Sequence, residues 1–241
     1  MENTTAIILA AGMGKRMGEL TKDRPKGLIE VGGKTLLQYA VEFVKKTGVE
    51  EIIVVGGYYF DKVKKEAERI DSKIKCVENN QYEMQNLISL DKPLPLVENK
   101  DLLVCNADYI FKETTAEAVA DKMEGISVYC SFDLSGDDND VMKAMSGKDG
   151  NLIGMSKQLE GFDSIYTGIF YFASRHIPEL KKTAAEILEK YDNKKTTVEY
   201  LFPEFMKKGY EIKVQDVGRA DWLEIDTPEE LTAAEQALNN R

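Results

Sequence analysis

At 241 residues, 43% of them hydrophobic, the chain is long enough to bury a substantial core, and no stretch is polar enough for a disordered tail. Its 42 acidic residues outnumber 32 basic ones, a formal net charge of −10, which argues against a duplex nucleic-acid binder because counterion release needs a basic face. No run approaches the roughly 18 apolar residues of a membrane helix, and the opening MENTTAIILAAG lacks the basic n-region of a signal peptide, so a cytoplasmic protein is expected.

In chain order, short β-rich runs first alternate with helical segments. Strands are expected over 6–9, 51–55, 74–77, 102–105 and 126–132, and helices over 36–47, 61–70 and 115–123. This rhythm implies βαβ units on a mostly parallel sheet. After Gly136 the character changes, with strands over 151–155 and 165–172, then helices over 177–191 and 198–208. A strand over 211–215 leads to 222–225 and a terminal helix opened by Thr227-Pro228-Glu229-Glu230, a capping box with proline in the first position. The fold class is therefore α/β: a single domain over 1–241, with a mostly parallel mixed sheet flanked by helices. Cys76, Cys105 and Cys130 sit in short apolar segments and are not spaced as a metal or redox pair, so buried thiols in a reducing compartment are expected. His176, the lone histidine, falls near a helix start and is expected at the surface.

The segment AIILAAGMGKRMGELTKDRPKGLIEVGGKTLL is the most informative. A buried strand runs into Leu9-Ala10-Ala11-Gly12-Met13-Gly14-Lys15, whose small residues let a backbone approach a ligand and aim N–H groups at phosphate oxygens. Arg16 and Lys26 add positive charge, ten residues apart across a loop broken by Pro25. Phosphoryl transfer needs mainly positioning and charge neutralisation, which such a loop supplies. A dinucleotide fingerprint is excluded because Gly18 falls one place too late after Gly12 and Gly14. A Walker A loop is excluded because Gly32 precedes Gly33-Lys34-Thr35 and breaks the spacing from Gly27.

LAAGMGKRM followed by RPKGLIEVGGK resembles the signature of the sugar-phosphate nucleotidyltransferase superfamily, whose fold is nucleotide-diphospho-sugar transferase-like. The ten-residue step from Arg16 to Lys26 is similar to the pyrophosphorylase and cytidylyltransferase branch. The resemblance implies a nucleotide-binding half over 1–110, an acceptor-binding half over 111–241, and catalytic roles for Arg16 and Lys26.

Later landmarks recur in the family's order. Asn106-Ala107-Asp108 follows the strand over 102–105, where open α/β sheets bind ligands, and the family's acid at this point holds the catalytic Mg²⁺. The bland alternative is a loop-capping aspartate. Trp222-Leu223-Glu224-Ile225-Asp226-Thr227 resembles the family's late W-x-D/E-I/V-D-T segment, which implies that Asp226 completes the Mg²⁺ site. Glu224, on the same strand face, would support the metal or the acceptor. The stretch 79–90 resembles N-x-x-Y-x-x-T-N-N-x-Y-S-L of cytidylyltransferases that activate small phosphates. Asn86 and Ser89 match, and Gln85 and Ile88 depart. Asn86 and Ser89 would read a pyrimidine edge, or merely cap a helix. Gly57, after the second strand, would admit the nucleobase or end the strand. Lys143 and Lys157 fall where relatives place acceptor-phosphate cations, or are simply solvated surface charges, and Tyr166-Thr167-Gly168 resembles a segment beside the acceptor but sits in an apolar strand that also suits the core.

Asp133, Asp137, Asp138 and Asp140 form an acidic patch that is either a solvated loop or part of the acceptor site. The resembling phosphocholine enzymes enclose the quaternary ammonium with aromatic side chains here, and their scarcity in this chain makes a primary-ammonium or polyhydroxyl acceptor plausible. SIYTGIFYF and WLEIDTPEEL also resemble inositol-1-phosphate cytidylyltransferases. The expected partners are CTP, or another NTP, and a small phosphorylated acceptor, with pyrophosphate released. The alternatives are a hexose-1-phosphate uridylyl- or thymidylyltransferase, whose metal strand usually reads Gly-Asp-Asn, and a catalytically silent nucleotide sensor.

Overall fold

A computed structural model describes residues 3–134, 141–218 and 222–239. The first strand, β1 (Thr4–Ala10), is buried along its whole length, as an apolar run with helices on both faces must be. After the loop come β2 (Glu30–Val31) and β3 (Lys34–Thr35), a hairpin, then α1 (Leu36–Lys46). Gly32 and Gly33 form the hairpin turn with φ of 57° and 81°, the paired left-handed conformation of a type I′ turn. The Walker-like string is thus a hairpin followed by a helix cap, since Thr35 Oγ1 accepts from Gln38 N at 3.1 Å.

There follow β4 (Glu51–Gly56), α2 (Phe60–Ile70), β5 (Lys75–Glu78), α3 (Asn86–Asp91), β6 (Asp101–Asn106), β7 (Tyr109–Ile110) and α4 (Glu113–Asp121). Next are β8 (Ile126–Ser131), β9 (Lys143–Ser146), β10 (Leu152–Ser156), β11 (Ser164–Phe172), α5 (Ile177–Lys190), α6 (Leu201–Lys207), β12 (Lys213–Asp216), β13 (Leu223–Glu224) and α7 (Pro228–Asn239). The main sheet runs β5-β4-β1-β6-β11-β8-β12, with β9 and β10 beside the first part of β11. Only β11 and the β9–β10 hairpin bring antiparallel pairing into it. The sheet is therefore mixed and mostly parallel.

Expected and observed elements agree to within a residue or two, except that the helix expected over 198–208 is a 3₁₀ turn, Val198–Tyr200, leading into α6. The strands β2, β3, β7 and β9 carry too few residues for a period to show. In the register, Leu9 lies opposite Asn106 and Ala10 opposite Gly56. The carboxyl ends of β1, β4 and β6 are therefore level, and the loops that follow them share one edge.

The sheet has a core on each face. One joins Ile7, Leu9, Val104 and Phe170 to α3, α5 and α6; the other joins Ile8, Val54, Cys105 and Ile169 to α1 and α4. Phe170 is fully buried and meets Phe172 and Phe202 edge-on, with centroids 6.0 and 5.6 Å away. Phe170→Ala is expected to cost about 3–5 kcal/mol, the usual range for a buried phenylalanine, measured by denaturant unfolding.

Cys105 and Cys130 are buried, with thiols pushed up by desolvation, whereas Cys76 is half-buried. His176 is half-buried at the surface, its ring edge-on against Tyr210 at 5.6 Å.

Candidate active site

Two loops and a small two-stranded sheet build a cluster of charges at the carboxyl edge. Leu9, Ala10 and Ala11 are buried at the end of β1, and Ala11 O accepts from Tyr58 N at 3.3 Å. Gly12 faces open space and is exposed. Met13 is half-buried and Lys15 exposed. Gly14 turns the chain at φ 68°, and a Cβ there would lie 2.8 Å from Lys26 Cβ. Its carbonyl accepts from Met17 N and Thr21 Oγ1, both at 2.9 Å, so the glycine loop wraps the stem of Lys26. Gly14→Ala must strain the backbone by roughly 1–2 kcal/mol and displace the lysine. Pyrophosphate release is expected to fall at least ~10-fold with only a modest shift in melting temperature, since a small displacement of a positioned group suffices.

Lys26 is itself buried, and its ammonium lies 2.8 Å from Asp108 Oδ2 while also binding Asp226. Burial opposes the charge on Lys26, but the two carboxylates outweigh it and hold the ammonium above its ordinary range. Arg16, whose side chain is 57% exposed, pairs with the other oxygen of Asp226. The residues singled out as catalytic and as metal ligands thus meet at one point.

Local structure explains why the acids converge. Strands β7 and β13 pair antiparallel, with Glu224 opposite Tyr109, and Ile225 N donates to Asp108 O at 3.0 Å. Asp226 is held by the capping box, in which Glu230 Oε2 accepts from the backbone N–H of Asp226 and Thr227 at 2.6 and 2.9 Å. Thr227 Oγ1 closes the box by accepting from Glu230 N at 3.2 Å.

Asp108, Glu224 and Asp226 each offer an oxygen, all within 4.8 Å of one another. Burial, then repulsion by Asp108 and Asp226, push the Glu224 carboxyl up to about 7. The buried Asp108 Oδ1 has no hydrogen-bond partner among the described residues. A set of carboxylate oxygens with one buried and unsatisfied suits a hard divalent cation such as Mg²⁺. Glu224 thus stands with the metal-type acids.

Several residues lie elsewhere. A Cβ on Gly57 would fall 2.4 Å from Tyr82 Cβ, so the space its missing side chain leaves is filled by the 79–85 loop and not by an open base pocket. Ser89 is buried, and its hydroxyl accepts from Asn79 Nδ2 at 2.9 Å. Asn86 Oδ1 accepts from Val198 N at 2.9 Å, and Gln85 N donates to Asn193 O at 3.0 Å. Asn86 therefore tethers the segment to the second half of the chain, and Ser89 ties it to its own start at Asn79. Tyr166 and Thr167 are buried beside a β-bulge between β11 and β8, where Thr167 Oγ1 donates to Tyr129 O at 2.8 Å. Both therefore lie inside the sheet, the core placement that their apolar strand also allowed.

Lys143 is half-buried, with its ammonium 4.8 Å from the centre of the Phe162 ring. Lys157 lines a cavity of about 540 Å³ with Met155, Tyr191, Thr197 and Glu199, a site that no motif announced. Asp133 is half-buried, while Asp137, Asp138 and Asp140 lie outside the described residues.

Comparison with known proteins identifies the family and the fold. A model of the MobA-like NTP transferase domain matches residues 6–160. The chain is 29% identical to CTP:phosphoglutamine cytidylyltransferase of Campylobacter jejuni, over 94% of this chain and 97% of that protein. It is also 29% identical to 2-aminoethylphosphonate cytidylyltransferase of Lancefieldella rimae, over 96% of this chain and 92% of that one. Among solved structures, the inositol-1-phosphate CTP transferase from T. maritima superposes with a TM-score of 0.83 at 24% identity, covering 96% of this chain and 93% of that one.

Proposed function

Since the chain belongs to the MobA-like NTP transferase family and is a nucleotidyltransferase, we propose that it moves CMP from CTP to a small phosphorylated or phosphonate acceptor, with Mg²⁺, releasing pyrophosphate. The observation that carries this reading is the meeting of Lys26 and Arg16 with Asp108 and Asp226 beneath the glycine loop. Cytosine and the acceptor class rest on the relatives, whose names specify CTP and small phosphorus-bearing acceptors.

The chemistry asks little of the protein beyond charge and position. An acceptor oxygen attacks the α-phosphorus in line, the new P–O bond forms, and the bond to pyrophosphate breaks. That oxygen is already anionic at neutral pH, so no general base is required, which suits a site built without histidine. Backbone N–H groups around Gly12 hold the triphosphate, Arg16 neutralises its outer phosphates, and Lys26 offsets charge where acceptor and α-phosphate meet. Asp108 and Asp226, with Glu224 beside them, would hold Mg²⁺, which when bound supplies charge neutralisation and orientation of the phosphates.

The test is pyrophosphate release by the full chain with Mg²⁺, each of the four NTPs and a panel of acceptors. The panel holds phosphocholine, phosphoethanolamine, aminoethylphosphonate, inositol phosphate and hexose 1-phosphates. Release with CTP and a non-hexose acceptor is expected. Turnover confined to UTP or dTTP with a hexose 1-phosphate would overturn the reading, and silence throughout would return the site to a nucleotide sensor.

A further inference from the structure

Three carboxylates whose oxygens lie within 4.8 Å of one another repel strongly, and something must oppose them in the ligand-free chain. The chain provides the opposing charges itself. Lys26 Nζ bridges Asp108 and Asp226, and Arg16 takes the remaining oxygen of Asp226. A divalent cation held by Asp108 and Asp226 would draw on oxygens of these same two carboxylates. The Lys26 ammonium, 2.8 Å from Asp108 Oδ2 and in contact with Asp226, already engages both of these carboxylates. The ammonium and a divalent cation would therefore compete for the same pair of acids. The same lysine and arginine are the groups that the function proposed above directs at the nucleotide phosphates.

Resting on that reading, we infer that Lys26 and Arg16 are resident counter-ions of the acid cluster, and that their transfer to nucleotide phosphates opens the cation seat. The two ligands are then positively coupled. Phosphates draw the lysine and arginine off the acids and strengthen cation binding there; a bound cation frees both side chains for phosphate, and by linkage the two effects are equal. Free protein holds a divalent cation weakly, so the acids are not loaded without a nucleotide to act on. Glu224, which neither resident cation bridges among the contacts described, keeps a carboxyl group beside the seat during the exchange.

Binding of Mn²⁺ to the full chain, followed by electron paramagnetic resonance without nucleotide, tests this directly. Lys26→Met is expected to bind Mn²⁺ about 10-fold more tightly than wild type, within the roughly 5–150-fold range of coupled sites. Arg16→Gln, at a largely exposed position, should tighten binding about 3-fold and decides the matter if the lysine variant does not fold. Nucleotide effects are read with α,β-methylene-CTP, after subtracting Mn²⁺ held by the analogue alone. It should tighten Mn²⁺ binding in wild type and do so much less in Lys26→Met. If neither variant binds Mn²⁺ more tightly than wild type, the counter-ion role is overturned, even where CTP turnover stands. Tighter binding without turnover of any NTP would keep the counter-ion role and remove the catalytic reading.

Discussion

Lys26→Ala is expected to lower pyrophosphate release at least ~10²-fold, the scale of losing one positioned charge donor from a reacting centre. The loss should fall mainly on kcat, because the ammonium acts where acceptor and α-phosphate meet, while the glycine loop and Arg16 still hold the triphosphate. Stability should respond as well. Removing one member of a fully buried ion pair costs about 3–5 kcal/mol. Here the side chain of Asp108 is 27% exposed, so solvent relieves part of that penalty. A loss of about 1–3 kcal/mol follows, read as a drop in melting temperature that millimolar Mg²⁺ largely restores. Turnover and KM measured beside melting curves with and without Mg²⁺ check both halves. A variant with unchanged kcat would remove Lys26 from the chemistry.

The parts of the site written in continuous sequence are legible from the residues themselves, whereas the parts built across the chain are legible only through the family resemblance. A strand running into Gly12 and Gly14 with Arg16 and Lys26 beyond it is a local pattern, and local backbone needs place those residues. The capping box at Thr227 is local too, and it holds the Asp226 backbone as read. The pairing of Lys26 with Asp108 and Asp226 spans 82 and 200 residues, and depends on β1 and β6 ending level. Glu224 joins the acids because β13 pairs with β7, two residues on two residues, too short for any periodicity to reveal. Thr167 sits in an apolar strand whose alternation says nothing about the bulge beside it, where its hydroxyl donates to Tyr129 O. Asn86 and Ser89 show the converse. Their residue types suit nucleobase recognition, but here both serve as acceptors, Asn86 from the Val198 N–H and Ser89 from the Asn79 side chain, and so fasten the segment in place. Polar side chains near a site serve the nearest unsatisfied backbone group first, and motif spacing does not record that demand.

Asp108→Asn separates catalytic from structural roles more sharply than the lysine variant does, because it removes a negative charge from a cluster that already has too many. Above pH 7, where the raised Glu224 carboxyl is ionised along with the two aspartates, the cluster holds three negative charges against the two positive charges of Lys26 and Arg16, and the variant is compared with wild type there. Asparagine keeps the volume of the side chain and one oxygen that can still accept from Lys26 Nζ. Fold stability should therefore stay within about 1 kcal/mol of wild type, or rise, since a like-charge repulsion is relieved. Activity should move the other way. The orphaned Oδ1 and its partner oxygen are the strand-end carboxylate available to a divalent cation, and an amide is a much poorer ligand for Mg²⁺. Pyrophosphate release should fall by more than the ~10–100-fold typical of residues that only support a metal ligand. Raising Mg²⁺ should recover part of the loss, if weakened cation affinity is its source. Loss of activity with an intact or raised melting temperature marks Asp108 as working at the reacting phosphates. Equal losses of both would make it a structural partner of Lys26, and the acid cluster would then need no cation to explain it.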